Sequence, residues 1–281
     1  MTTAEKIDRY AVFGNPIKHS KSPVIHTEFA KQCNQSMLYR AVKVDVHGFG
    51  AAAKQFFESG GSGLNVTVPF KRDAYDFADN KSVRAQRAGA VNTLIYNSDG
   101  TISGDNTDGI GLVKDMIANL GWRVNGMRVL VLGAGGAVRG VLEPLLREHP
   151  KDLLVVNRTP ERAVEIAAQF ADLGPVEGGA YSLIGQRQFD LIINGTSGGL
   201  SGEMPDIPSS ILTQRSCCYD MVYGAEPTVF MRWAAHHAAW AVADGLGMLV
   251  EQAAESFYLW RRARPESGPV ISQVRASISP P

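Results

Sequence analysis

The sequence predicts an α/β fold in two domains, and three observations carry that prediction. Apolar runs rich in Val, Ile and Tyr alternate with stretches of helical periodicity from Tyr10 onward. One such run, 129–132, ends on Gly133-Ala134-Gly135-Gly136 and is followed by a helix-competent run, 141–147. With 281 residues, the chain is long enough for two domains that each bury a core.

In order, residues 10–14 read as a strand and Asn15-Pro16-Ile17 as a turn. Ser20-Lys21-Ser22-Pro23 leads into a helix to about Cys33, with Ser22 a natural N-cap and Pro23 at the first helical position. A strand (39–46) and a helix (49–59) come next. Residues 63–68 alternate with period two and stop at Pro69. A helical stretch, 71 to about 88, precedes a strand at 90–96 and a hairpin turning at Ser98-Asp99-Gly100. Helix 110–120 bridges to the second domain, whose strands are placed at 128–132, 153–156, 189–193 and 217–222. Asn194-Gly195-Thr196-Ser197-Gly198-Gly199 forms a glycine-rich strand end. Helix 246–262 carries Leu246, Leu249, Val250, Ala253, Phe257 and Trp260 on one stripe. The tail, 267–281, lacks periodicity and is expected to fray.

Composition narrows the function. Hydrophobic residues make up 44% and charged ones 20%, as in soluble globular proteins, and 28 basic residues balance 28 acidic ones. Nothing points to a nucleic-acid or anionic-membrane partner. Cys33, Cys217 and Cys218 are too few for a disulfide framework and read as reduced thiols of a cytoplasmic protein. No Cys/His spacing suits a metal. The start has no apolar signal core, and no apolar run is long enough to span a bilayer.

The glycine cluster is what a dinucleotide pyrophosphate requires. Glycines let the backbone approach, and the following helix offers N–H groups and its positive end. At the end of the next strand, Asn157 stands where an NAD site carries an acid, and Arg158 and Arg162 supply cations suited to a 2′-phosphate. NADP is therefore the expected cofactor. Val138 occupies a position that is usually Gly or Ala, so the helix is expected to sit further off or start differently.

Lys71, in isolation, reads as a solvated lysine at a helix start. Two features set it apart: lysine sits poorly at the positive end of a helix dipole, and α/β proteins build sites beyond strand C-termini. Asp108 reads as an N-cap for a helix beginning at Gly109, and also as a carboxylate partner for that lysine. Such a pair can accept and return a proton. Ser20, Ser22, Asn65, Thr67 and Asn92 each suit local backbone satisfaction, but together they suit a substrate bearing several hydroxyls and a carboxylate. The six histidines show no metal spacing, and His236-His237 reads as helix surface.

The motifs Ser20-Lys21-Ser22-Pro23, Asn65-Val66-Thr67-Val68-Pro69-Phe70-Lys71, Ala88-Gly89-Ala90-Val91-Asn92-Thr93 and Gly104-Asp105-Asn106-Thr107-Asp108-Gly109 occur in that order. They precede the glycine loop, Asn157-Arg158-Thr159 and Leu249-Val250-Glu251-Gln252-Ala253-Ala254. The whole resembles the shikimate dehydrogenase family from Tyr10 to about Arg262. The resemblance implies NADP-dependent, reversible reduction of 3-dehydroshikimate to shikimate, on the route to aromatic amino acids and without a metal. It implies a substrate-binding and catalytic domain (1–108), a Rossmann-like NADP domain with a parallel sheet (109–246), and a C-terminal helix returning to the first domain (247–281). Lys71 and Asp108 are implied as the catalytic pair. Ser20, Ser22 and Tyr223 would bind the substrate carboxylate, and Asn65, Thr67, Asn92, Asp108 and Gln252 the ring hydroxyls. Cofactor contacts would come from Gly133, Ala134, Gly135, Gly136, Ala137, Asn157, Arg158, Thr159, Arg162, Met221 and Gly245. A quinate/shikimate dehydrogenase with relaxed substrate or cofactor choice is the nearer alternative. A non-catalytic NADP- or shikimate-binding sensor is the alternative from another class. A monomer or a homodimer fits equally.

Overall fold

The computed structural model describes residues 7–196, 198 and 203–278. They divide into two units, one running to Gly111 and including Val250–Val274, the other spanning Leu112–Leu249 with Arg275 onward.

In the first unit β1 (Asp8–Gly14) pairs in parallel with β2 (Met37–Lys43) and β3 (Gly61–Val66). Helices α1 (Ser22–Gln32) and α2 (Phe49–Glu58) make the crossovers. The mixed half of the sheet follows α3 (Lys71–Phe77), β4 (Asn80–Lys81) and α4 (Val83–Ala88). There β5 (Thr93–Tyr96) runs antiparallel to both β3 and β6 (Ile102–Asp105), and β4 closes the edge beside β6. The β5–β6 turn is the expected hairpin: Gly100 takes φ +85° and Asn97 N–H donates to the Thr101 carbonyl at 2.9 Å. One apolar face of this sheet packs Phe13, Leu64 and Val66 against Phe49, Phe57 and Phe70.

The chain enters the second unit through α5 (Asp108–Lys114), which continues as a π-helical turn, Asp115–Asn119. The second sheet is parallel throughout: β7 (Arg128–Leu132), β8 (Asp152–Val156), β9 (Val176–Gly179), β10 (Phe189–Asn194), β11 (Leu212–Asp220) and β12 (Ala241–Asp244). Their order, β12-β11-β10-β7-β8-β9, is the doubly wound arrangement with β7 at the centre. Central position explains the unbroken apolar run of β7. Val129 and Val131 face Val138, Val141 and Leu145 of α6 (Gly136–Arg147), while Leu130 and Leu132 face Ile184, Ile192 and Phe230 on the other side. Helices α7 (Pro160–Phe170) and α8 (Val229–His236) complete the layers, and α8 ends on an exposed His236. Among the described residues no helix is long and apolar enough to cross a membrane.

Several expectations need correction. The stretch 71–88 is two helices, because Asn80 and Lys81 pair with β6 and Ser82 starts a new helix by accepting from Ala85 N–H at 3.2 Å. Tertiary pairing overrides a continuous helical pattern there. Ser22 is the first residue of α1 rather than its cap, and its N–H donates to Ser20 Oγ at 3.3 Å. Asp108 likewise opens α5 inside the helix, and its N–H donates to Asn106 Oδ1 at 3.1 Å. The tail expected to fray forms α10 (Ser267–Ile278), with Val270 and Val274 buried, after α9 (Leu246–Arg261). Edge strands β9 and β12 and helix α8 had no assignment, the first because two of its four residues are glycine. In the loop after β10, Ser197 and Gly199 lie outside the described residues.

Val138 is fully buried, and the glycine at 195 makes room for it: a Cβ there would lie 2.4 Å from Val138 Cγ2. The extra bulk of the helix is thus absorbed by a neighbouring strand end. Gly195→Ala should therefore lower stability by about 1–3 kcal/mol, read as a Tm reduced by several degrees, and Val138→Ala in the same chain should restore most of it.

His26 is fully buried in the first unit, stacked on Tyr39 with ring centroids 4.2 Å apart, and its ring nitrogens lack a hydrogen-bond partner among the described residues. Burial pushes its pKa down from 6.5 to about 3, with Asn65 pulling weakly the other way. Below pH 6.5 the unfolded chain gains a proton that the folded one refuses. Stability should fall as pH drops from 6.5 towards 3, by up to about 1.4 kcal/mol per pH unit. Urea unfolding of a His26→Phe variant should show a shallower acid slope than the parent.

Candidate active site

Phe70 is fully buried, stacked on Phe49 at 5.5 Å, and fixes the start of α3. Lys71 therefore projects from the first turn beyond β3 and meets Asp108 across a 2.5 Å hydrogen bond from Nζ to Oδ2. The lysine side chain is 30% exposed and the carboxylate 12%, so the pair is shielded yet open to a small molecule. Asp108 sits favourably in the first turn of α5. Its second oxygen, Oδ1, accepts from Asn92 Nδ2 at 2.9 Å. Asn92 Oδ1 in turn accepts from Thr107 N–H at 2.9 Å, and Gln252 Oε1 lies 3.4 Å from Asn92 Nδ2. Lys71, Asn92, Asp108 and Gln252, four residues singled out from sequence, thus form one polar cluster.

The remaining candidates of this unit differ in their engagement. Ser20 and Ser22 are joined through the 3.3 Å bond already described, with Ser22 the more buried. Thr67 turns its methyl toward Gly14, where a Cβ would lie 2.5 Å away, and its hydroxyl has no partner among the described residues. Asn65 is 6% exposed and wholly engaged by protein. Its Oδ1 accepts from Tyr39 at 2.7 Å, and its Nδ2 donates to Asn92 O, Thr93 Oγ1 and Ser256 Oγ at 3.2, 3.2 and 3.0 Å.

Sequence reasoning missed the layer behind this cluster. Arg84 grips Asp105 with two bonds of 2.7 and 2.9 Å, and Ser82 adds a third at 2.6 Å, fixing the loop that carries Thr107 and Asp108. Ser256 bonds Thr93 at 2.7 Å. The available signal was its i, i+4 spacing from Gln252, which puts both on one face of α9.

In the second unit, Gly133 takes φ +102° as β7 ends, and its N–H donates to the Val156 carbonyl at 2.8 Å. This bond joins the glycine loop to the end of β8, where Asn157 and Arg158 follow. Gly135 caps α6 without a side-chain bond, and Cβ atoms at Gly135 or Gly136 would meet nothing within 4 Å. Gly135, Gly136 and Ala137 are exposed and present open backbone at a helix N-terminus, the kind of donor set a pyrophosphate needs, while Gly133 and Ala134 are buried behind them and shape the turn. Arg158 and Arg162 are exposed, and neither side chain is paired among the described residues. Asn157 Nδ2 donates to the Thr159 carbonyl at 3.0 Å, shaping the turn before α7. These residues fit a dinucleotide with an extra phosphate.

Met221 and Gly245 also meet: a Cβ on Gly245 would lie 2.2 Å from the Met221 carbonyl oxygen, so only glycine fits. Arg275 bonds both oxygens of Asp244 and, at 3.2 Å, the Gly224 carbonyl. It thereby fastens the two segments carrying Met221, Tyr223 and Gly245. Burial raises the Tyr223 pKa, so its hydroxyl remains a donor at neutral pH. The cysteines play no visible part. Burial pushes the Cys217 thiol up to about 11 and Cys218 up to about 12, and all three cysteines are free thiols. No group of metal-binding side chains occurs among the described residues.

Residues 12–94 match the shikimate dehydrogenase substrate binding domain, 115–198 the shikimate / quinate 5-dehydrogenase family, and 245–275 the shikimate 5′-dehydrogenase C-terminal domain. The chain is 56% identical to a shikimate dehydrogenase (NADP(+)) of Cellvibrio japonicus over 96% of its own length and 98% of that protein's. Among solved structures it is similar to an Ael1 enzyme of Pseudomonas putida, with TM-score 0.90 and 41% identity, covering 98% and 99% of the two chains. It is also similar to the Thermus thermophilus shikimate 5-dehydrogenase in complex with NADP(H) and shikimate, with TM-score 0.84 and 30% identity, covering 97% and 100%. The two units, the lysine–carboxylate pair and the open glycine loop belong together: this chain is a member of the shikimate dehydrogenase family.

Proposed function

We propose that the protein catalyses the reversible reduction of 3-dehydroshikimate to shikimate with NADP(H), in the pathway to aromatic amino acids. The observation that carries this reading is the Lys71–Asp108 pair, 2.5 Å apart and braced by Asn92. Residues 1–108 serve as the substrate and catalytic domain and 109–246 as the NADP domain, and of the C-terminal segment 247–281 the stretch Val250–Val274 returns to the first. NADPH, when bound, supplies the hydride to the ketone carbon. Lys71, as the ammonium, gives its proton to the carbonyl oxygen as the alcohol forms, and solvent restores it; in oxidation the neutral amine takes the hydroxyl proton. Asp108 keeps Lys71 placed and, with Asn92, Thr67 and Gln252, holds ring hydroxyls. Asn65 acts through Asn92, since its own groups are engaged. Ser20, Ser22 and Tyr223 bind the carboxylate.

The glycine loop and the N-terminus of α6 hold the pyrophosphate, and Arg158 and Arg162, after Asn157 and before and beyond Thr159, hold the 2′-phosphate. Met221 and Gly245 line the nicotinamide end. The enzyme works in the cytoplasm as a monomer or homodimer.

Initial rates with shikimate and quinate, each paired with NADP and NAD, should give fast turnover only for shikimate with NADP. Preference for quinate or NAD would assign a relaxed relative, and binding without turnover a sensor. Lys71→Ala should lower kcat about a hundredfold to ten-thousandfold with little change in KM; an unchanged kcat would remove Lys71 from the chemistry. Arg158→Ala should raise the KM for NADP about tenfold or more, the scale of a charge-assisted bond, and leave that for NAD unmoved.

A further inference from the structure

The layer behind the catalytic cluster contains a tyrosine with no assigned part in the reaction. Tyr39, on the edge strand β2, is 7% exposed, and its hydroxyl donates to Asn65 Oδ1 at 2.7 Å. His26 lies against the phenol ring with an interplanar angle of 10°. Trp260 flanks both rings, 5.3 Å from His26 and 6.3 Å from Tyr39, and its indole N–H is fixed on the Leu94 carbonyl at 3.0 Å. The phenol is therefore held on its faces, with its hydroxyl seated on Asn65 Oδ1. Burial keeps it protonated well above its ordinary value, the Ser22 side chain pulling weakly the other way.

An asparagine amide has two orientations, and its neighbours choose between them. With Oδ1 toward Tyr39, Nδ2 faces Asn92 O, Thr93 Oγ1 and Ser256 Oγ. Reversed, Oδ1 would meet the Asn92 carbonyl oxygen, two acceptors face to face. We propose that Tyr39 is a positioning residue of the substrate pocket, its hydroxyl locking the Asn65 amide so that Asn65 holds the Asn92 backbone and, through it, Asp108. The path is continuous: Asn65 holds the Asn92 carbonyl, and Asn92 Nδ2 holds Asp108 Oδ1, whose other oxygen holds Lys71. The inference rests on the proposed function for its kinetic consequence, but not for the lock itself.

Tyr39→Phe deletes one oxygen and keeps the stacked ring. Hydrogen exchange of the Asn65 side-chain amide, followed by NMR without substrate, should quicken at least about tenfold, since a buried acceptor has lost its donor. In turnover, kcat/KM for shikimate should fall about tenfold or more while the KM for NADP stays within twofold. In an Asn65→Ala background the same change should add less than about twofold, because the lock then has nothing to hold. Unchanged amide exchange overturns the proposal whether or not the parent turns shikimate over. So does a kinetic loss that persists in full without Asn65, or one that appears equally in the KM for NADP. A parent that fails to oxidise shikimate overturns the proposed function instead, and the amide exchange still decides the role of Tyr39.

Discussion

A lysine held 2.5 Å from a carboxylate, at the positive end of a helix and largely withdrawn from water, is the arrangement on which the first unit depends. Left alone it would be costly, because desolvation of two charges offsets much of their attraction. The surrounding structure reduces that cost. Asp108 has both oxygens engaged and sits in the first turn of α5, where negative charge is favoured. Lys71 has one direction to point because Phe70 beside it is locked in an aromatic cluster. The Arg84–Asp105 fork holds the loop between β6 and α5 from behind. Apolar packing thus fixes one partner and polar bonding the other.

The second unit follows a different logic, in which openness is the functional property. Its sheet is apolar on both faces, so the glycine loop at the end of β7 rests on a rigid base through the buried Gly133 and Ala134 while Gly135, Gly136 and Ala137 stay uncovered. The two arginines beyond β8 are exposed and unpaired among the described residues, as suits cations that await an anion. A positively charged rim and an uncapped helix start draw on the same physics, the attraction of phosphate to fixed donors and cations.

The features written in local sequence were legible, and those written in tertiary contacts were not. Period-two alternation, the run 129–132 and the turn residues at 98–100 announced their elements, and the glycine loop and Asn157-Arg158-Thr159 announced a cofactor. Lys71 and Asp108, 37 positions apart, could be suspected of pairing but not seen to pair. Tyr39 and His26 gave no signal, since an aromatic on a strand and a histidine on a helix are ordinary core residues until their neighbours are known. The split at 78–82 is decided by pairing with β6, and α10 by the burial of Val270 and Val274, neither of which a periodicity count of so short a stretch reveals.

Val138 and Gly195 carry a consequence for how such a chain changes over time. The two positions, 57 residues apart, share one volume. A lineage that moves to the commoner small residue at 138 can then acquire a side chain at 195, but the two steps are not interchangeable. Shrinking 138 first removes two carbons (to Ala) or three (to Gly) and leaves a small void, which a well-packed core survives at the cost of a cavity. Enlarging 195 first drives a Cβ into an occupied space at the mouth of the glycine loop. A side chain at 195 is therefore accommodated only after, or together with, a smaller residue at 138.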